Sequence, residues 1–107
     1  MIRGTTPTFT FTIKDENVDL NQALTVIATI KQSGKRLDIS GDRLNLDGRT
    51  ASLWLTQEES LKFTEGVRAS VQLNWTYPDP NGGSPRRAAT KPKCFMIDEQ
   101  FYERVIE

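Results

Sequence analysis

Histidine is absent from this chain of 107 residues. That removes the imidazole on which Ser–His and Cys–His nucleophiles depend and which most zinc sites use. Carboxylates remain, and a pair of them is enough to hydrolyse a glycosidic bond. The local acid clusters are Asp15-Glu16-Asp19 and Glu58-Glu59. The first falls among turn residues and the second at the start of a short helix, so both read as solvated structural acids. Asp38, Asp42 and Asp47 lack the spacing of a calcium loop. Cys94 is the only cysteine, so no internal disulfide or thiolate zinc cage can form. In a strand the residue reads as a small half-buried thiol. Gly82-Gly83 follows Asn81 in a proline-rich loop, not a strand entering a helix, and so is no phosphate cradle. The expectation is a protein that is not an enzyme, with no cofactor, no metal and no small-molecule substrate.

Binding chemistry is better represented. Arg86, Arg87, Lys91 and Lys93 fall between Asp79 and Asp98 with no acid among them. Such a stretch either recognises an acidic partner or nucleic acid, or protects a sheet edge from unwanted pairing. Trp75 and Tyr77 continue the buried face of a long strand and read as core. Ile27 and Trp54 lie on the otherwise polar faces of their strands. If those strands are neighbours, the two side chains form an outward apolar patch that the chain's own tail or a second subunit must cover. The candidate interaction residues are therefore Ile27, Trp54, Arg86 and Arg87.

Alternation sets the elements that position these residues. Phe9, Phe11 and Ile13 interleave with threonines, and a second strand spans Leu24 to Lys31. Asp19-Leu20-Asn21-Gln22 offers an Asx-capped turn. After Ser33-Gly34 come short strands at Arg36–Ile39 and Arg43–Leu46. Asp47-Gly48 predicts a type I′ hairpin leading into Thr50–Leu55. Thr56-Gln57-Glu58-Glu59 matches a capping box, and Gly66 closes the short helix it starts. Val67 to Tyr77 is the longest alternating run. The return strand, about Arg86 to Met96, carries Pro92, which confines it to an edge or breaks it in two. In the tail from Asp98 to Glu107, Phe101–Val105 and Tyr102–Ile106 at i,i+4 spacing predict a short helix, with an eighth strand as the alternative.

These elements predict one all-β domain over residues 1–107. The architecture expected is an immunoglobulin-like sandwich of about seven strands with one short helix and a C-terminal helix; a small β-barrel is the alternative. Lysine plus arginine equals aspartate plus glutamate at fourteen each. That balance argues against nucleic-acid binding and against attachment to an anionic membrane. The polar N-terminus has no signal peptide pattern, and no apolar run is long enough to span a bilayer. A soluble protein made in a cytoplasm is expected.

Four stretches, in this order, carry a family likeness: the opening Met1 to Phe9, Val26 to Gln32, Leu55 to Phe63 (LTQEESLKF) and Val71 to Tyr77 (VQLNWTY). The chain resembles a family of small proteins encoded in phages and prophages of Gram-positive bacteria, found among minor structural and tail genes. The likeness covers nearly the full length, is most specific at LTQEESLKF and weakens after Pro78. It implies a tail- or baseplate-associated structural or assembly role, with other phage structural proteins or further copies of the chain as partners. It also implies synthesis in the host cytoplasm and a place in the virion, and brings no catalytic residues. The alternatives are a carbohydrate-binding host-recognition module and a phage-encoded inhibitor or regulator acting in the host cytoplasm.

Overall fold

A computed structural model describes residues 1–102 and 104–106. Its strands are β1 (Thr8–Thr12), β2 (Thr25–Gln32), β3 (Lys35–Ser40), β4 (Leu44–Asp47), β5 (Thr50–Trp54), β6 (Arg68–Tyr77), β7 (Arg86–Ala89) and β8 (Lys93–Met96); the described residues also form an α-helix, α1 (Gln57–Leu61), and 3-10 turns at Leu20–Gln22 and Gly41–Arg43. They form two antiparallel sheets, β1-β5-β4 and β3-β2-β6-β7, with β8 also paired to β6. The fold is thus the expected all-β sandwich, and the sheets do not close into a barrel.

Alternation explains the core. Val26, Ala28 and Ile30 of β2 and Ala69, Val71, Leu73 and Trp75 of β6 are buried against Phe11, Ala51 and Leu53 of the other sheet. Phe9 and Phe95 meet across the two sheets at a ring-centroid distance of 5.1 Å. Phe63, Leu20, Leu55 and Ile97 seal the ends of this layer. Burying one such side chain stabilises the fold by about 1.5–3 kcal/mol. Gln32, although polar, sits at the buried end of β2. Its amide donates to the Thr64 and Val67 carbonyls at 2.8 and 3.0 Å and accepts from the Thr64 N–H at 2.7 Å, so its burial is compensated.

The return strand breaks at Pro92, as its missing N–H requires. β8 pairs with Arg68–Val71 and β7 with Asn74–Tyr77, giving eight strands in place of about seven. Thr90 patches the gap: its N–H donates to the Leu73 carbonyl at 2.9 Å, and its hydroxyl accepts the Leu73 N–H at 3.1 Å.

Three expectations are corrected. The β4–β5 hairpin pairs Asp47 with Thr50, so its central residues are Gly48 and Arg49. Only Gly48 takes a positive φ, 59°, so the turn is not type I′, which needs two. Ile27 lies on β2 and Trp54 on β5, in different sheets, so they do not share an outward patch. Alternation gives a side chain's face but not the sheet its strand joins. Finally, no helix forms over residues 98–102 and 104–106, while Glu103 and Glu107 of the expected tail helix lie outside the described residues. The tail is tied down in extended pieces: Ile2 bridges Asp98 in parallel, and Gln57 exchanges two hydrogen bonds with the Ile106 backbone, at 2.7 and 2.9 Å.

Candidate interaction surfaces

α1 is short, and its ends are satisfied from outside. Thr56 and Glu59 form the predicted capping box: the Thr56 hydroxyl accepts the Glu59 N–H at 3.2 Å, and Glu59 Oε1 accepts the Thr56 N–H at 2.9 Å. Beyond the other end, the Arg3 guanidinium donates to the Leu61 and Phe63 carbonyls at 2.9 and 2.7 Å, quenching acceptors that a helix terminus leaves open. The N-terminal segment, α1, the start of β6 and the end of β8 thus meet at one end of the sandwich.

That end carries most of the exposed apolar surface. Among the described residues, seven of nine exposed large apolar side chains belong to it: Ile2, Val67, Met96, Phe101, Tyr102, Val105 and Ile106. Phe101 is 94% exposed and Ile106 68%. Connectivity brings them together. Met96 pairs with Arg68, the Gly66 N–H donates to the Ile97 carbonyl at 2.8 Å, and Ile2 bridges Asp98.

Of the residues singled out from sequence, Trp54 is 52% exposed, and the Arg43 guanidinium lies over its ring, 5.7 Å from the centroid. Arg43 also pairs with Glu59. That hydrogen bond, more than any other cause, holds the Glu59 carboxyl below its usual range; burial opposes it, and the Thr56 amide adds to it. Ile27 is half-buried on the outer face of the five-stranded sheet, opposite Ser40 and Asn74. Arg86 and Arg87 point to opposite faces. Arg86 pairs with Tyr77 in register and lies 3.6 Å from Asp79. Arg87 donates twice to Asn74 Oδ1, at 3.2 and 3.0 Å, on the outer face. Cys94 is exposed, with the Ser70 hydroxyl 3.5 Å from its sulfur, and not half-buried. Trp75 is buried as expected. Asp15 and Asp19 each accept a backbone N–H two residues on, so the first acid cluster consists of Asx turns.

The outer face of the five-stranded sheet is concave. A depression of about 490 Å³ is lined by Thr29, Lys31, Arg36, Ser70, Gln72, Asn74, Arg87 and Pro92. Sequence reading missed it because its cations come from β2, β3 and β7, which only the strand order brings together.

Compared with protein-family profiles, with characterised proteins and with solved structures, the chain matched none.

Proposed function

We propose that this chain is a non-catalytic β-sandwich that binds other protein chains as a structural or assembly component of a phage tail or baseplate. The α1 end is its docking surface. The observation that carries the reading is the apolar tail, which leaves the sandwich with Phe101, Tyr102, Val105 and Ile106 in solvent. Burying each such side chain against a partner would contribute about 1.5–3 kcal/mol. Large exposed apolar surface on a small domain marks a protein interface. The phage context rests on the likeness of the LTQEESLKF and VQLNWTY stretches to phage and prophage tail genes. Partners are other phage structural proteins and further copies of the chain, met in the host cytoplasm and carried into the virion.

The carbohydrate-binding alternative has less support. A sugar platform needs several aromatics along one exposed face; Arg43 lies over one face of Trp54, Tyr77 is half-buried, and the exposed Phe101 and Tyr102 belong to the tail and not to a strand face. Mass spectrometry of purified phage particles from a host expressing the chain tests the proposal. Presence at a fixed ratio to a known tail protein supports it. Absence from particles, with the chain abundant in the host lysate, returns it to the regulator alternative.

A further inference from the structure

We infer that the concave outer face of the five-stranded sheet binds a carboxylate-bearing, extended segment of a partner protein. This deepens the protein-binding reading and rests on it, but uses a surface separate from the apolar end. Three of the side chains lining the depression are cations, Lys31, Arg36 and Arg87; Asp38 at its edge is ion-paired with Arg36, which leaves the face with an excess of positive charge among the described residues.

The fold aims the two guanidiniums inward. Asp38 accepts from Arg36 Nε, at 3.2 and 3.1 Å, and from the Thr29 hydroxyl at 2.7 Å. Asp38, Thr29 and Gln72 sit opposite one another across β3, β2 and β6. The Arg36 head is thereby held at the level of Gln72. Asn74 holds the Arg87 head one step further along the same face of β6. Two strand spacings across and two residues along separate the heads by roughly 12 Å. Carboxylates four residues apart on one side of an extended chain are about 13 Å apart, so a single acidic strand reaches both. Lys31 pairs with Arg36 in register; its ammonium acts on Asp38 only through its charge and forms no hydrogen bond or ion pair among the described residues, so it is available to a third carboxylate. The Asn74 carbonyl oxygen accepts from Arg87, and Asn74 itself lines the depression.

Charge and lining select the occupant. Planar guanidiniums match carboxylates bidentately. Among the described residues no aromatic side chain lines the depression, so the stacking on which single-stranded nucleic acids rely is missing there. A sparse local array of cations suits a peptide with a few carboxylates.

The test uses the full chain and fluorescently labelled poly-L-glutamate, with dextran sulfate as a second probe, in low salt. Poly-L-glutamate is expected to bind. Lys31→Gln combined with Arg87→Gln should weaken binding about tenfold, from two lost surface charge contacts. Arg86→Gln, next in sequence but on the opposite face, should stay within twofold. Urea unfolding checks that each variant folds; if the double variant does not, Lys31→Gln alone gives the readout. Failure to bind poly-L-glutamate overturns the inference, as does an equal loss in Arg86→Gln. Binding of dextran sulfate alone would make the face a polysaccharide site and overturn it as well. A chain present in phage particles that ignores poly-L-glutamate would leave the proposed function standing and remove only this surface.

Discussion

Arg43 and Glu59 are joined by a two-pronged ion pair, Nη2 to Oε1 at 2.6 Å and Nη1 to Oε2 at 3.2 Å, and the same Glu59 Oε1 closes the capping box of α1. One carboxylate therefore fastens the β3–β4 connection to the helix. Its acidity is raised by folding, since its pKa lies below the ordinary value of 4.5. The folded state therefore binds fewer protons than the unfolded chain as pH falls. The stabilisation is complete above the unfolded value and is lost as pH drops through the lowered folded value. The urea midpoint of the wild type should fall in that acid window, and Glu59→Gln should show a smaller midpoint at neutral pH and a shallower fall. Asp38 is lowered too, chiefly by the Thr29 hydroxyl, but its side chain is 45% exposed and solvent screens it. An identical pH profile in Glu59→Gln would show that the pair does not link protons to folding.

Thr56→Ala removes the other half of the box. Loss of an N-cap hydroxyl costs about 1 kcal/mol, and urea unfolding should show a lower midpoint with an unchanged slope. A midpoint equal to wild type would mean that the cap contributes nothing in solution.

Two phenylalanines separate core from surface. Phe63 is 1% exposed and Phe101 is 94% exposed. Phe63→Ala should destabilise by about 3–5 kcal/mol, the range for emptying a buried aromatic site. Phe101→Ala should leave the midpoint within about 0.5 kcal/mol. A large loss in Phe101→Ala would place that ring in the core and remove it from the proposed docking surface.

The tryptophans make a spectroscopic pair. In Trp75→Phe the remaining indole, Trp54, should be quenched readily by acrylamide. In Trp54→Phe the buried Trp75 should resist quenching and emit further to the blue. Equal quenching of the two variants would contradict the assignment of Trp54 to the surface and Trp75 to the core.

The sequence is most informative where structure is local. Alternation locates β1, β2, β5 and β6 to within a residue or two, the Thr56–Glu59 spacing gives the capping box, and Pro92 marks the break between β7 and β8. It is silent on strand order, which depends on pairings between distant residues. For that reason Ile27 and Trp54 looked like neighbours although they belong to different sheets. Arg86 and Arg87 read as one basic edge although the pleat sends them to opposite faces. The groove cations escaped notice for the same reason: Lys31, Arg36 and Arg87 are scattered in sequence and share a surface only once β3-β2-β6-β7 is assembled. The tail misled through its i,i+4 pattern. A segment so short is a marginal helix without a surface to pack on, and in the fold Ile2 and Gln57 hold its backbone in extended contacts.

In the proposed function the apolar end joins this chain to others in a phage particle. Its most direct test is the amount of chain in purified particles, for wild type and for Phe101→Ser combined with Ile106→Ser. Both side chains are exposed, so the variant should fold with the wild-type urea midpoint. Removing two apolar anchors of about 1.5–3 kcal/mol each should deplete it from particles at least tenfold, while the wild type is retained at a constant ratio to a tail protein. Wild type missing from particles, or the folded variant incorporated as fully as wild type, would contradict the account.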